Sequence, residues 1–172
     1  MHKLPMLLAV LSITGCSTVQ TAESGAVSQG ASANLMRADG SAAGVATLSQ
    51  RSDGLWLRIA ADAPGRGTYG MHVHAIGKCE GPAFDTAGPH WNPAMKQHGR
   101  DNPMGAHSGD MPNVTANADG KLAIETRLNG ATFSQVIDAD GASVVIHEKA
   151  DDYKTDPSGN SGKRLICGVF KS

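Results

Sequence analysis

The segment between residues 70 and 113 contains GMHVH (70–74), GPHWNP (88–93), QHG (97–99) and GAHSGDMPN (105–113). Five of the seven histidines in this 172-residue chain lie in that segment. A sixth, His147, lies in an apolar stretch closer to the C-terminus. Imidazole is a favoured ligand of both zinc and copper, so this clustering predicts a metal site for which the rest of the chain is the scaffold.

His72 and His74 are separated by one residue in a strand-like stretch, and two such side chains project from the same face of a strand. Two neighbouring imidazoles supply half of a planar nitrogen site, the geometry that Cu(II) prefers. His147 follows Ile146 in another apolar strand and is expected on an outward face as well. Taken singly, each of these signals also fits an ordinary strand histidine without a metal.

A second set, of three imidazoles and one carboxylate, lies in the following loop, at His90, His98, His107 and Asp110. This donor set suits a closed tetrahedral zinc site, and a metal cross-link would give order to a loop that has no regular structure. The alternative is a polar loop with scattered histidines. It is disfavoured because all six histidines beyond the N-terminal segment find a role in a two-metal scheme.

The remaining pattern consists of short alternating stretches separated by turns, and it predicts an all-β antiparallel sandwich or barrel. Leu55, Leu57 and Ile59 alternate with polar neighbours, as do Leu122 and Ile124. Eight strands are predicted near residues 31–37, 43–50, 55–61, 68–75, 113–117, 121–127, 142–148 and 164–170. Two connections, 75–112 and 148–163, are long enough to indicate functional loops.

The length and a formal net charge of −1 favour one ordinary domain. A hydrophobic content of 40% with only 4% aromatic residues predicts an aliphatic core. The absence of a basic excess argues against nucleic acid as the main partner.

The N-terminus has the pattern of an export signal, because a short basic end is followed by the apolar run from Leu4 to Ile13. That run is too short to span a bilayer as an ordinary helix. The sequence from Ile13 to Cys16 resembles a bacterial lipobox, in which Cys16 is lipidated and becomes the first mature residue. A secretory signal that is cleaved elsewhere is the alternative.

The predicted organisation is a signal peptide at 1–15, a flexible tether at 16–30 and a folded domain at 31–172. The tether is assigned because Ser17 to Gly30 is rich in small polar residues and offers almost nothing to bury. These features predict a location in the bacterial periplasm, with attachment to a membrane only through Cys16. Ser17 points to the outer membrane.

Several separated motifs resemble those of copper/zinc superoxide dismutases of the bacterial exported type. They are the four already quoted, together with HEKADD at 147–152 and GNSGKRLICGV at 159–169. The likeness covers roughly residues 31 to 170. It implies an eight-stranded antiparallel Greek-key β-barrel that converts superoxide to dioxygen and hydrogen peroxide, by alternate reduction and oxidation of a copper ion bridged to a structural zinc ion.

The resemblance also implies a role for each site residue. Copper would be bound by His72, His74, His90 and His147, and zinc by His90, His98, His107 and Asp110. His90 would bridge both metals as an imidazolate and take up a proton during the cycle. Asp151 would hydrogen-bond a copper histidine, His72, and a zinc histidine, His98. Arg164 would dock the superoxide anion, although a lone strand arginine is ordinarily a surface charge.

Cys79 and Cys167 are expected to form a disulfide, because export places them in an oxidising compartment. A metal-binding role for Cys79 is the weaker interpretation. The sequence leaves a monomer and a homodimer both open. Two other functions compete with the enzyme: a lipoprotein that stores copper and zinc, and a β-sandwich interaction module.

Overall fold

The computed structural model describes residues 28–172. The signal peptide predicted at 1–15, the predicted lipidation site Cys16 and most of the tether predicted at 16–30 lie outside the described residues. Within residues 28–172, no helix is long and apolar enough to cross a membrane.

Nine strands and two short helical turns make up the described chain. The strands are β1 (Gln29–Arg37), β2 (Ala42–Arg51), β3 (Gly54–Asp62), β4 (Thr68–Tyr69), β5 (Met71–His74), β6 (Val114–Thr115), β7 (Lys121–Leu128), β8 (Ser143–His147) and β9 (Arg164–Val169). A 3-10 turn spans Asp85–Ala87, and the helix α1 spans Phe133–Val136. The all-β prediction is confirmed. The fourth predicted strand is interrupted at Gly70, which divides it into β4 and β5.

Seven strands form one antiparallel sheet in the order β5-β8-β9-β1-β2-β3-β7, and β4 pairs with β6. Strands β1, β2 and β3 are joined by hairpins, and β9 returns over a long path to lie beside β1. This is the strand order of a Greek key. Because β4 directly precedes β5 in the chain, the two-stranded sheet continues from one edge of the large sheet, which curls around the core.

The core is aliphatic, as the composition predicts. On β3, Leu55, Leu57 and Ile59 are buried, while Trp56 and Arg58 face outward. This alternation arises because successive side chains of a strand point to opposite faces. Removing these side chains from water is the main stabilising contribution to the barrel.

Two features differ from the simplest alternating pattern. β5 and β8 are buried on both faces, so that the histidines on their outward faces lie beneath the long loops and not in solvent. The helix α1 was not predicted. Its signal is the Thr132-to-Gln135 spacing of a capping box, in which the Gln135 side chain accepts a hydrogen bond from the Thr132 N–H at 3.0 Å.

Candidate metal centre

The loop of residues 75–113, called the metal loop below, lies along the free edge of β5. The Val73 N–H donates to the Gly109 carbonyl at 2.9 Å, and the Trp91 N–H donates to the Val73 carbonyl at 2.8 Å. An edge strand has unpaired backbone groups, and these contacts satisfy them. The same pairing places His74 beside His90, and His72 beside Asp110.

Four histidines converge above β5 and the end of β8. The potential ligand atoms of His72, His74, His90 and His147 all lie within 4.8 Å of one another. These are the four residues predicted as copper ligands.

In three of these rings one nitrogen is hydrogen-bonded, and the other has no hydrogen-bond partner. His72 Nε2 donates to Asp151 Oδ2 at 2.8 Å, and His74 Nδ1 donates to the Gly88 carbonyl at 2.8 Å. His147 Nδ1 donates to the Gly162 carbonyl at 3.2 Å. The opposite nitrogen of each ring is buried without a hydrogen-bond partner: His72 Nδ1, His74 Nε2 and His147 Nε2. Buried polar atoms are rarely left unpaired, so these three nitrogens fit a metal ion.

The second cluster is centred on the buried carboxylate of Asp110. Its Oδ1 lies 2.9, 3.1 and 3.2 Å from the Nδ1 atoms of His90, His98 and His107 respectively. Its Oδ2 accepts hydrogen bonds from the backbone N–H groups of Gly99 and His107, both at 3.0 Å. The four residues predicted to bind zinc therefore lie together.

A purely geometric grouping on this side contains His72 instead of His107, together with His90, His98 and Asp110. The hydrogen bonds favour His107. Nε2 of His72 is already held by Asp151 and its unpartnered Nδ1 belongs to the first cluster. Nδ1 of His107, in contrast, lies 3.3 Å from Nδ1 of His90 and 3.2 Å from Asp110 Oδ1. His90 belongs to both clusters.

Asp151 connects the two clusters from below. One carboxylate oxygen accepts from His72, as described, and the other accepts from His98 Nε2 at 3.0 Å. Asn113 fixes the backbone of Asp151, since its side-chain amide bonds the Asp151 carbonyl at 2.9 Å and N–H at 2.8 Å. The Tyr153 N–H donates to the carboxylate at 2.6 Å. Asp151 therefore lies between His72 and His98, as predicted.

Arg164 lies in a cleft of about 920 Å³ that is also lined by His90 and His147. Its guanidinium donates to the carbonyls of Phe84 and Gly88 at 2.7 and 2.9 Å. The Gly88 carbonyl thus orients both this arginine and His74. The half-buried cation is fixed beside the histidine cluster and is not a freely moving surface charge.

The charge states of the centre follow from burial and hydrogen bonding. Burial lowers the pKa of His72 to about 3, of His74 to about 2 and of His147 to about 4, so these rings are neutral at pH 7. Burial opposes ionisation of Asp110 and Asp151, but hydrogen bonds from the histidines outweigh it and lower the pKa of both carboxyls. Neutral imidazoles and ionised carboxylates are the forms that bind metals.

The disulfide expected between Cys79 and Cys167 is present, with a Cα–Cα distance of 5.7 Å. It ties the metal loop to β9, three residues beyond Arg164. Cys79 is therefore not a metal ligand, as its alternative interpretation would require.

Comparison with known proteins is consistent with this centre. The family model described as copper/zinc superoxide dismutase (SODC) matches residues 42–170, about three quarters of the chain. The chain belongs to the copper/zinc superoxide dismutase family. A copper/zinc superoxide dismutase from Brucella abortus has a similar structure, with a TM-score of 0.69, 26% identity and coverage of 83% of this chain and 100% of that one.

Two relatives illustrate the range of this superoxide dismutase family. Superoxide dismutase (Cu-Zn) 1 of Aquifex aeolicus is 37% identical over 145 residues, which is 81% of this chain and 86% of the relative. The superoxide dismutase-like protein YojM of Bacillus subtilis is 41% identical over 144 residues, 79% of this chain and 73% of the relative.

Sequence reasoning missed the groups that orient this dismutase-family centre. The Gly88 and Gly162 carbonyls are backbone atoms and have no residue-type signature. Tyr153, whose hydroxyl accepts a hydrogen bond from the Asn113 N–H at 2.7 Å, resembles any loop tyrosine in the sequence. Gly159 is required because a Cβ there would fall 1.8 Å from Asp151 Oδ1 and 2.7 Å from His98 Nε2.

Gly159→Ala should weaken zinc and copper retention by about 10- to 100-fold, because it displaces a carboxylate that orients ligands on both sides. The matched control is Gly120→Ala. Gly120 has a similar positive φ of 71°, against 62° for Gly159, but a Cβ there meets nothing within 4 Å. Both variants should lose roughly 1–2 kcal/mol from backbone strain. Competition titration with a chelator measures the metal affinities, and equal affinities in the two variants would contradict the role given to Gly159.

The metal-free protein should be most stable near pH 6.5 and lose stability on both sides. Below 6.5, His72, His74 and His147 bind protons in the unfolded chain but stay neutral in the folded one, because their pKa values are lowered. Each can cost up to about 1.4 kcal/mol per pH unit as the pH falls.

On the alkaline side the sign reverses because of His98. Burial opposes its protonation, but hydrogen bonds to Asp110 and Asp151 outweigh burial and raise its pKa to about 9. Its contribution is therefore complete below 6.5 and is lost as the pH rises through about 9. Thermal unfolding of chelator-treated protein from pH 5 to 10 measures both limbs, and a Tm that does not change across this range would contradict the assignment.

Proposed function

We propose that this family member is an active superoxide dismutase whose copper ion is held by His72, His74, His90 and His147. Its zinc ion is held by His90, His98, His107 and Asp110. The observation that carries the proposal is the set of three buried, unpartnered imidazole nitrogens that converge beside a fixed arginine. A copper ion bound there supplies one-electron chemistry, by which two superoxide anions and two protons give dioxygen and hydrogen peroxide.

His90 is proposed to bridge the two metal positions and to carry a proton. Its Nδ1 is engaged on the Asp110 side at 2.9 Å, so Nε2 is the nitrogen free to serve the copper position and to hold and release a proton. Zinc has no redox states of its own, so the Asp110 cluster serves to hold His90 in place.

Arg164 is proposed to bind the superoxide anion. The cleft that it shares with His90 and His147 also contains the carboxylates of Asp138 and Asp140, which repel an anion. The Arg164 guanidinium, held by the Phe84 and Gly88 carbonyls, offsets that repulsion next to the histidines. Because it is already in position, it does not have to reorganise when the anion arrives.

Two alternatives remain to be separated from this function. A metal-storage protein would need the ligands but would have no use for an arginine fixed in the cleft by Phe84 and Gly88. An interaction module would not need the unpartnered imidazole nitrogens. Because one relative is named only superoxide dismutase-like, turnover must be measured directly.

Superoxide consumption by the copper- and zinc-loaded protein tests the function. His147→Ala should abolish nearly all turnover, because it removes a copper ligand. Arg164→Ala should lower kcat/KM about tenfold or more while leaving residual turnover, since guidance of the anion is lost but the ligands remain. The control Lys154→Ala removes an exposed cation that does not line this cleft. Full metal content without turnover in the unmodified protein would favour the storage alternative.

We further propose that the exported protein is anchored in the bacterial periplasm through lipidated Cys16, in the outer membrane as Ser17 indicates. The pairing of Cys79 with Cys167 supports this, since it leaves Cys16 as the third cysteine without an intramolecular cysteine partner. Anchoring through one acylated residue agrees with a tether of small polar residues before the barrel.

Mass spectrometry of the N-terminal peptide from membrane fractions tests the anchor. The expected result is an acylated peptide that begins at Cys16, and Cys16→Ser should abolish the acylation. A non-acylated N-terminus at another position would contradict the anchor. Sedimentation of the purified protein distinguishes a monomer from the homodimer that the family resemblance leaves open.

A further inference from the structure

The outward face of β2, β3 and β7 carries an ordered group of cations around one tryptophan. Trp56 and Arg58 on β3 lie opposite Arg127 and Glu125 on β7. The guanidinium of Arg51, at the end of β2, stacks 4.9 Å from the centre of the Trp56 ring and also pairs with Glu125. The sheet therefore presents several cations beside a partly exposed indole.

A cleft of about 630 Å³ extends this surface onto the metal loop. It joins Arg127 to Lys96 and Arg100, and its one acidic lining residue is Asp110, which is buried and already hydrogen-bonded. We call the combined surface the cationic face. It comprises Arg51, Trp56, Arg58, Lys96, Arg100 and Arg127.

The charge of the cationic face is largely uncompensated. Among residues 28–172, no carboxylate lies within ion-pair distance of Arg58, Lys96, Arg100 or Arg127. The outward face of the sheet also carries carboxylates: Glu125 pairs with Arg51, Asp62 pairs with Lys121, and Asp53 accepts a hydrogen bond from the Trp56 indole at 2.9 Å. Each of these carboxylates is already engaged, so four of the five cations of the cationic face have no carboxylate partner within residues 28–172.

The position of this face relative to the N-terminal segment is informative. The Ser28 N–H donates to the Gln50 carbonyl at 3.0 Å, and Gln29 lies opposite Gln50 in the β1–β2 pair. The next residue after Gln50 is Arg51, so the chain enters the barrel at the end where the cationic face begins. Residues 17–27 could span at most about 40 Å when fully extended. A domain attached at Cys16 is therefore held within reach of the bilayer by this end.

We propose that the cationic face docks on the anionic phospholipid surface of the membrane to which the chain is attached. Arginine and lysine side chains pair with lipid phosphates, and each basic side chain near an anionic bilayer contributes about fivefold to partitioning. The indole of Trp56 suits the boundary between headgroups and acyl chains. The inference takes the presence of a membrane from the anchor proposed above, but the contact itself needs neither acylation nor catalysis.

The contact can be tested without the anchor by measuring vesicle binding of the non-acylated chain from Ser17 onward. This chain keeps every described residue. Binding to vesicles of phosphatidylglycerol and phosphatidylcholine should exceed binding to phosphatidylcholine alone by at least tenfold. Arg58→Glu combined with Arg127→Glu should remove that preference. The control combines Arg66→Glu with Lys154→Glu, an equal charge change at exposed residues elsewhere, and should bind as the unmodified chain does.

Fluorescence identifies the surface that makes the contact. Trp91 is 7% exposed and buried in the core, so Trp56 is the tryptophan that can report a membrane. Anionic vesicles should shift the emission to shorter wavelength, and Trp56→Phe should remove the shift while the two-charge control retains it.

Three results would overturn the proposal: equal loss of binding in the two charge-changed variants, equal binding to neutral vesicles, or an emission shift that survives in Trp56→Phe. Inorganic phosphate at the same total phosphate concentration should not displace the protein. Displacement would identify a site for free phosphate instead of a membrane surface. Superoxide consumption by the Arg58/Arg127 variant and the mass of the N-terminal peptide are measured separately, so failure of the docking, of the enzyme and of the anchor can be told apart.

Discussion

The geometry of the centre depends on the hydrogen bonds that the buried carboxylate of Asp151 accepts from His72 and His98. This carboxylate is ionised in a site that excludes water, which would be costly without hydrogen-bond donors on each oxygen. Those donors come from one histidine on the strand and one in the metal loop, together with the Tyr153 amide. Because one carboxylate binds both histidines, it also fixes the distance between the two clusters. Removing any one donor would leave the buried charge under-compensated.

The barrel contributes by leaving one strand edge open. β5 is an edge strand of the large sheet, and the metal loop completes its hydrogen bonding through Gly109 and Trp91. A loop held only by side chains would have to order a long stretch of backbone against its conformational entropy. The edge contacts and the disulfide at Cys79 reduce that cost before any metal binds. This explains how a loop with almost no regular structure presents Gly88 to both His74 and Arg164.

The sequence predicts the strands and the identity of the candidate ligands for physical reasons that are local. Alternation at Leu55, Leu57 and Ile59 is a consequence of the strand period, and imidazole chemistry is visible in any histidine. The division of the fourth strand at Gly70 is not local, because it depends on Asp151 and Ser161 packing against that glycine. Likewise, the ring of His147 is oriented by the Gly162 carbonyl, fifteen residues further along the chain. Residue types therefore indicate the donor set, whereas the orientation of each ring comes from carbonyls that only the folded chain brings near.

The distribution of charge separates two regions that a net charge of −1 conceals. In the cleft beside the histidines, Arg164 and Lys96 are accompanied by Asp138, Asp140 and Asp156, and Arg164 is the cation held in place by the Phe84 and Gly88 carbonyls. That arrangement suits a small anion that must reach one point. On the far side of Lys96, the cations of the cationic face extend over a sheet and a loop with few carboxylates among them. Cations spread over a broad surface would attract a small anion to positions away from the histidines, but they match an extended array of phosphates. The single arginine fixed in the cleft and the broad cationic face therefore suit partners of different size, one bound in a cleft and one lying against a face.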